Sequence, residues 1–305
     1  MKESKELVSE TSPHSQSQPE GEEKREKRAE DFEKALHFFK SQLWESKGRS
    51  GLNYLMRKRG YTKEEIEGME LGFFPFKRWV KKGMIKLLNS IGFNKKDFGK
   101  THKIVIPCRD PEGTLKGFIV RRLDNIRPRY LYNEGMERGT LFNLNKAKGQ
   151  EHIIVVDGYF DALITTQKGI KGVVATAGIR ITDKILEDLI RYGTKSITLI
   201  PDNDEVGFKN AEKSIVLIRE KGLSAFVLEL PEGYKDLDEF IRRKGREAFE
   251  ELSKHAKDGD KWEANEFLSK QGKIKVQIRD ANNTGAAQIY YIRKGSDITQ
   301  REGSS

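Results

Sequence analysis

Aspartate residues follow three separate apolar stretches in the second half of this 305-residue chain. Residues 153–156, 197–201 and 226–231 read as strands, and acidic side chains come after each of them. The acidic residues are Asp157, Asp161, Asp202, Asp204, Asp236 and Asp238. Because the carboxyl ends of parallel strands meet at one edge of a sheet, we expect these side chains to lie close together.

Carboxylates held close together repel one another and raise one another's pKa values. A divalent cation removes that cost, and a donor set of oxygens without Cys or His favours Mg²⁺ or Mn²⁺ over Zn²⁺. Such ions act on phosphates, and two of them can hold the attacking and leaving oxygens of a displacement. The alternative is structural, because an Asp at a strand end often caps the next helix. Three acidic elements after three strands favour the metal site.

The elements that must position these residues alternate between strand and helix. The predicted strands are 153–156, 172–176, 196–200 and 225–229, and the predicted helices are 160–168, 182–191, 208–221, 237–243 and 246–256. This alternation at short intervals indicates an α/β unit with a mainly parallel sheet flanked by helices.

The first half of the chain is predicted to mix helices with a small sheet. Apolar residues recur at helical spacing in the first helix, and Thr62 with Glu65 has the spacing of a capping box. Short strands are then predicted at 103–107, 114–121 and 129–132. The fold class is therefore α/β, with an α+β N-terminal subdomain followed by a subdomain built on a parallel sheet.

Four segments are predicted: a disordered polar arm at 1–30, a basic subdomain at 31–150, the strand–helix unit at 151–245, and a tail at 246–305. The arm has few apolar side chains, so it cannot offset the entropy lost on ordering. In the tail, alternating apolar stretches on either side of Asn282-Asn-Thr-Gly285 predict a β-hairpin after the helices.

The charge of the chain is concentrated in one region. Residues 31–130 carry 23 Lys and Arg against 11 Asp and Glu, whereas residues 131–305 carry 28 of each. A basic stretch of this kind predicts a polyanionic partner such as nucleic acid, since Lys and Arg release counterions from phosphates. The alternative is a Lys-rich surface without a specific partner.

The single cysteine, Cys108, excludes an intramolecular disulfide and a zinc site with several cysteines. No apolar run is long enough for a membrane span, and the N-terminus lacks the apolar core of a signal peptide. These features predict a cytoplasmic protein that has no membrane partner.

A set of motifs follows one another along residues 31–245. They are Tyr54-Leu-Met-Arg-Lys-Arg59-Gly60, Leu71-Gly-Phe-Phe, Ile104-Val-Ile-Pro107, Gly117-Phe-Ile-Val-Arg121, Arg127-Pro-Arg129-Tyr-Leu131, Leu141-Phe-Asn-Leu144, Asp157-Gly-Tyr-Phe-Asp161, Asp202-Asn-Asp204 and Asp236-Leu-Asp238. In this order and spacing the motifs resemble the catalytic core of DnaG-type bacterial and phage DNA primases. Those proteins share the TOPRIM fold with topoisomerases and some nucleases, and residues 151–245 would be the TOPRIM subdomain.

The resemblance implies a nucleotidyltransferase, a DNA-directed RNA polymerase of the primase type that makes short primers on single-stranded DNA from nucleoside triphosphates. It implies that two or more Mg²⁺ or Mn²⁺ ions bind to Asp157, Asp161, Asp202, Asp204, Asp236 and Asp238, the first four of which would be catalytic. It also implies that template or nucleotide phosphates contact Lys103, Arg121, Arg122, Arg129 and Arg138.

The chain departs from the family's pattern at several points. Asp157 stands where the family has the longer Glu, and Asn203 stands where Gly is usual, which resembles TOPRIM proteins of phages and mobile elements. The zinc-binding domain of cellular primases has no counterpart around Cys108, so no zinc is expected. Template recognition would then involve a separate zinc-binding protein or a replicative helicase.

Two further functions remain open from the sequence. The same metals could activate water in a TOPRIM nuclease, or a degenerate TOPRIM domain could bind nucleic acid without catalysis, which the short Asp157 side chain would favour. The aromatic stretch from Phe73 to Trp79 is predicted to pack as an apolar turn, with base stacking as the alternative.

Overall fold

The computed structural model describes residues 19–136, 140–178, 180–259, 262, 274–280 and 287–293, with backbone only for 19–22, 274–280 and 287–293. Arg138, a predicted phosphate contact, lies outside the described residues, as do residues 1–18 of the predicted polar arm. Within the described ranges, no helix is both long and apolar enough to cross a membrane.

The first helix of the chain begins earlier than the sequence predicts. The helices of the first half are α1 (Pro19–Trp44), α2 (Arg49–Leu52), α3 (Lys63–Gly68), α4 (Lys82–Ser90) and α5 (Leu144–Ala147), and a π-helical turn, Asn53–Lys58, continues α2. The prediction of disorder up to residue 30 is therefore wrong for residues 19–30. This stretch is rich in Glu, Lys, Arg and Ala, which favour helix, and it starts with Pro, which suits a first helical turn.

The first sheet packs against α1. Its strands are β1 (Gly72–Phe73), β2 (His102–Arg109), β3 (Leu115–Arg122) and β4 (Tyr130–Tyr132), all antiparallel and adjacent in that order. Phenylalanine side chains fill the space between sheet and helix, and Phe39, Phe74, Phe93 and Phe118 are fully buried. The capping box at Thr62 and Glu65 is confirmed at the start of α3.

The second sheet is mainly parallel, which confirms the predicted α/β class. Its strands are β5 (His152–Val156), β6 (Val173–Ala175), β7 (Ser196–Ile200), β8 (Ser224–Val227) and β9 (Lys257–Asp258), in the spatial order β6-β5-β7-β8-β9 with only β9 antiparallel. The flanking helices are α6 (Tyr159–Gln167), α7 (Asp183–Arg191), α8 (Glu205–Glu220) and α9 (Leu237–Ser253), the last kinked at Gly245.

Two stretches pack on the second sheet although the sequence assigns them elsewhere. Phe142 pairs with Ala175 at the edge of β6, and the apolar face of α5 joins the core under that sheet. At the other edge, β9 lies beyond residue 245, and Trp262 stacks on Phe208. The predicted hairpin of the tail is confirmed as β10 (Ile274–Asp280) and β11 (Ala287–Arg293), which pair antiparallel.

One apolar cluster joins the two sheets. Tyr61, Ile66 and Met69 from the first half pack in the same cluster as Phe160 and Ile164 from α6. This shared cluster brings the π-helical turn and the end of the first sheet next to the carboxyl end of β5. The acidic strand ends therefore face basic side chains from the other subdomain.

Candidate active site

Asp157 and Asp161 lie between β5 and the first turn of α6. The Thr176 hydroxyl donates to Asp157 Oδ1 at 3.0 Å, which fixes one oxygen of a half-buried carboxylate. Asp161 is 7% exposed, and its Oδ1 accepts a hydrogen bond of 2.7 Å from the backbone N–H of Asp238. Gly158 makes room for this side chain, because a Cβ at that position would lie 2.2 Å from Asp161 Oδ2.

Replacing Gly158 with alanine is expected to displace the Asp161 carboxylate while leaving the fold intact. The backbone at Gly158 is extended, so alanine fits its φ and ψ, and only the carboxylate stands in the way. Metal-dependent activity and Mn²⁺ affinity should fall, and circular dichroism should not change. The matched control is Gly83→Ala in α4, where nothing lies within 4 Å of the added methyl group. This control should be neutral or stabilising by about 0.5 kcal/mol, and equal activity in both variants would contradict the expectation.

Asp202, Asp204 and Asp236 follow β7 and β8. Asp204 Oδ1 accepts from the Gly207 N–H at 2.8 Å and caps α8, while Asp236 Oδ1 accepts from the Glu239 N–H at 2.9 Å and caps α9. Capping uses one oxygen of each carboxylate and leaves the other. The structural and the metal-binding interpretations of these residues are therefore compatible.

Two of the carboxylates at these strand ends, those of Asp202 and Asp161, have raised pKa values. Burial, followed by the charges of Asp157, Asp236 and Asp204, raises the pKa of Asp202 to about 7. Burial and the neighbouring Asp236 and Asp238 also hold the pKa of Asp161 well above its ordinary value. A bound cation would relieve this repulsion.

The donor set fits Mg²⁺ or Mn²⁺ in its chemistry. Five carboxylates each have at least one oxygen without a protein partner among the described residues. They are those of Asp157, Asp161, Asp202, Asp204 and Asp236. All of these donors are hard oxygens. Among the described residues, however, no three acidic, His or Cys side chains converge on one point as they stand.

Asn203 connects the acidic loop after β7 to the acidic loop after β8 by hydrogen bonds. Its Nδ2 donates to the Tyr234 carbonyl at 2.7 Å, and its backbone N–H donates to the Lys235 carbonyl at 3.1 Å. Its Oδ1 is buried and has no hydrogen-bond partner. Asn203, at the position where the resembling proteins usually have Gly, thus holds the backbone that leads to Asp236. The sequence did not reveal this role.

Asp238 differs from the other five carboxylates, because both of its oxygens have protein partners. Arg59 Nη1 lies 2.6 Å and Arg242 Nε 3.2 Å from Oδ2, and the Tyr61 hydroxyl donates to Oδ1 at 2.5 Å. This arrangement does not match the metal-ligand role that the resemblance implies. Burial opposes the charge of Arg59, but Tyr61 and Asp238 outweigh it and raise the pKa of Arg59.

Arg121 lies where the two subdomains meet. No carboxylate among the described residues pairs with it. Arg121 is 6% exposed, its Nη1 donates only to the Arg122 carbonyl, and its buried Nε has no partner. Its guanidinium carbon lies 5.2 Å from the ring centroid of Tyr54, 5.4 Å from that of Tyr130 and 5.8 Å from that of Phe160.

The other predicted phosphate contacts are spread over the end of the first sheet. Lys103 Nζ donates to the Gly99 carbonyl and lies 3.9 Å from the ring centroid of Phe76. Arg122 is held by Asp124 in a bidentate pair of 2.6 and 2.8 Å. Arg129 is exposed, and its backbone carbonyl accepts from the Arg122 N–H.

The aromatic stretch divides between the core and the surface. Phe73 and Phe74 are buried, as the packing interpretation predicts, but Trp79 is 44% exposed. Phe76 and Trp79 line an open groove of about 780 Å³ together with Lys47, Arg49 and Lys103. Exposed rings beside cations suit a single-stranded polyanion.

Sequence reasoning missed Arg59 and Tyr61 as site residues. Both side chains reach Asp238 across a separation of more than 170 residues. The only available signal was the position of Arg59 within a motif of the resemblance, directly before Gly60.

The comparisons with known proteins agree with this geometry. Residues 154–241 match the family described as Toprim-like. The DNA primase of Clostridium acetobutylicum is 30% identical over 240 residues, which cover 73% of this chain and 40% of that protein. A DnaG primase catalytic domain bound to single-stranded DNA superposes with a TM-score of 0.64 at 25% identity, covering 82% of this chain and 83% of that one. A DNA primase domain from Pseudomonas aeruginosa gives 0.63 at 26% identity, covering 80% and 82%.

Residues 154–241 thus form a Toprim-like α/β domain. About four fifths of the chain has the fold of the DnaG primase catalytic cores, which confirms the resemblance that its motifs indicate. The chain spans about 40% of the length of the curated relatives that it matches.

Proposed function

We propose that this protein is a DNA primase core that joins nucleotides on a single-stranded DNA template. The observation that carries the proposal is the acidic cluster that follows β5, β7 and β8, with Arg121 of the other subdomain packed against Phe160, the residue next to Asp161. Carboxylates for a metal and a guanidinium for phosphates, placed near one another on this fold, are what nucleotidyl transfer needs.

The metal-holding residues in this proposal are Asp157, Asp161, Asp202, Asp204 and Asp236, each of which retains a carboxylate oxygen. A bound Mg²⁺ or Mn²⁺ would supply charge neutralisation for the triphosphate and lower the pKa of the attacking hydroxyl. The 3′-oxygen of one nucleotide bonds to the α-phosphorus of the next. The bond from that phosphorus to the β-phosphate oxygen breaks, and pyrophosphate leaves while the hydroxyl proton passes to solvent.

Arg121 is proposed to bind the triphosphate. A buried guanidinium without a carboxylate carries a desolvation cost that an incoming phosphate would offset. The aromatic rings around Arg121 hold its guanidinium plane and leave its N–H groups for phosphate oxygens. Catalysis would then come from orientation and from electrostatic stabilisation of the transferred phosphoryl group.

The open groove lined by Phe76 and Trp79 is proposed as the path of the template. Lys47, Arg49 and Lys103 supply positive charge along it, and the exposed indole offers a face for a base. The proposed partners are therefore a single-stranded DNA template and nucleoside triphosphates, in a cytoplasmic setting. We further propose that a separate zinc-binding protein or a replicative helicase contributes template recognition.

Replacing Trp79 with alanine is expected to weaken single-stranded DNA binding by about 1–2 kcal/mol, because one stacking surface for a base is lost. Fluorescence anisotropy with a labelled oligonucleotide at fixed salt measures the loss, which corresponds to roughly five- to thirtyfold in Kd.

The control for this variant is Trp44→Ala. Trp44 is exposed to a similar extent, 38%, but its ring faces Lys63 rather than the groove. Equal loss of affinity in the two variants would show that the template does not bind along the groove.

A primer-synthesis assay tests the proposed function. The protein is mixed with single-stranded templates of varied sequence, labelled nucleotides, and Mg²⁺ or Mn²⁺, and products are resolved on a gel. Products that need both template and nucleotides support a primase. Shortening of a labelled template without nucleotides would instead show a TOPRIM nuclease, and binding with neither activity would show a nucleic-acid-binding module.

A further inference from the structure

We propose that Asp238 is a positioning residue that locks the two subdomains together at the active site. It would hold Arg59 and Tyr61 through its side chain and Asp161 through its backbone, and it would not bind the metal. The inference rests on the proposed function and deepens it. It explains how the metal-binding carboxylates and the phosphate-binding Arg121 are held in a fixed arrangement.

Both oxygens of the Asp238 carboxylate accept a hydrogen bond from the protein. Asp238 is 2% exposed, Arg59 Nη1 and Arg242 Nε lie at 2.6 and 3.2 Å from one oxygen, and the Tyr61 hydroxyl lies at 2.5 Å from the other. Arg59 and Tyr61 each donate a short hydrogen bond to one oxygen, whereas Arg242 pairs with Oδ2 by charge alone, because its buried Nε makes no hydrogen bond. Each oxygen of Asp238 is thus already held by the protein, unlike the free oxygens of the other five carboxylates.

The sequence around Arg59 is built to present both donors. The π-helical turn ends with Arg59 N–H donating to the Tyr54 carbonyl and Tyr61 N–H to the Leu55 carbonyl. Gly60 between them has φ +73°, a conformation that L residues with a Cβ rarely adopt. This reversal lets the side chains before and after Gly60 reach the same carboxylate.

The backbone at the N-terminus of α9 connects Asp238 to the acidic cluster. The backbone N–H of Asp238, in the first turn of α9, donates to Asp161 Oδ1 at 2.7 Å. A free N–H at a helix N-terminus is a good donor to an anionic side chain. One residue thus connects a carboxylate of the metal-binding set to a guanidinium of the other subdomain.

Arg59 also shapes the phosphate-binding side. Its guanidinium carbon lies 4.2 Å from the ring centroid of Phe160, and the same ring lies 5.8 Å from the guanidinium carbon of Arg121. Moving Arg59 would therefore disturb the ring that packs beside Arg121. We infer that loss of the Asp238 carboxylate acts on nucleotide positioning through Arg59 and Phe160.

Three measurements on the full chain test this role with Asp238→Asn. Calorimetric titration with Mn²⁺ alone, without nucleotide, should give a Kd within about twofold of wild type, because Asp238→Asn keeps the backbone N–H that binds Asp161. Asp202→Asn removes a charged ligand and should weaken Mn²⁺ binding about tenfold or more. Primer synthesis by Asp238→Asn should fall about 10- to 100-fold, mainly in kcat. In thermal unfolding, the double variant with Arg59→Gln should melt within about 3 °C of the less stable single variant, because the two residues act as a unit.

Tyr61→Phe provides a second route if Asp238→Asn does not fold. It removes the hydroxyl that donates to Asp238 Oδ1 and leaves Asp238 and Arg59 in place. It should lower primer synthesis severalfold without changing Mn²⁺ affinity. The matched substitution Asp188→Asn, which breaks a surface pair with Arg191, should change none of these quantities.

Two results would overturn the inference. Weakening of Mn²⁺ binding by Asp238→Asn to the extent seen for Asp202→Asn would make Asp238 a ligand. Additive melting-temperature shifts for Asp238→Asn and Arg59→Gln would make the two residues independent. If wild type makes no primers at all, the proposed function fails, but the Mn²⁺ titration and the unfolding cycle still decide the role of Asp238.

Discussion

Replacing Asp202 with asparagine is expected to lower primer synthesis by about 10³-fold, the largest effect of any single substitution in this chain. The negative charges of Asp157, Asp236 and Asp204 all add to burial in raising the pKa of Asp202, so this carboxylate interacts with three others of the cluster. A divalent ion supplies several kcal/mol to phosphoryl transfer, and about 4 kcal/mol corresponds to 10³ in rate. Asparagine keeps the size of the side chain and removes its negative charge.

The comparison of Asp202→Asn with wild type needs initial rates over a range of Mn²⁺ or Mg²⁺ concentrations. Part of the loss should be recovered at high metal concentration, because the remaining carboxylates still bind weakly. Removing a repelling charge from this cluster should also leave the melting temperature unchanged or higher. A variant as active as wild type at low metal concentration would contradict the proposed metal site.

Replacing Arg121 with methionine is expected to separate stability from activity. Methionine fills a similar volume between Tyr54, Tyr130 and Phe160 and carries no charge to desolvate. Stability should stay within about 1 kcal/mol of wild type or rise, because no carboxylate among the described residues depends on Arg121. Primer synthesis should fall about 100-fold in kcat/KM, as expected for two charged hydrogen bonds to a triphosphate.

Thermal unfolding and nucleotide-dependent kinetics on the same preparation test the Arg121→Met expectation. The control is Arg129→Met on the exposed neighbouring loop, which should weaken template binding without a comparable change in KM for nucleotides. Severe destabilisation by Arg121→Met with unchanged kinetics per folded molecule would show that Arg121 serves the fold and not the nucleotide.

The acidic cluster could be predicted from sequence because each part of it is local. An apolar strand followed by an Asp is visible within eight residues, and parallel strands bring such ends together by topology. The same logic predicts the capping box of Thr62, which depends on two residues three apart. The α/β class and the order of strands and helices follow from these local patterns.

The partners of Asp238 could not be predicted in this way. Arg59 and Tyr61 are distant in sequence, and their contact with Asp238 depends on how the two subdomains dock. Phe142 pairs with β6 for a similar reason, since nothing in its neighbourhood indicates which sheet edge it joins. The extension of α1 to Pro19 was missed because a polar, charged helix lacks the apolar periodicity that reveals a helix in a sequence.

The most direct test of the central claim is the formation of the first phosphodiester bond. Wild type, single-stranded template, Mn²⁺ and two nucleotides, one labelled in its β-phosphate, are followed for dinucleotide and released pyrophosphate. We expect equal amounts of both products, dependent on the template, and far less of each from the Asp204→Asn variant. Absence of dinucleotide on every template, or the same low yield from wild type and Asp204→Asn, would contradict the proposal that this acidic cluster catalyses nucleotidyl transfer.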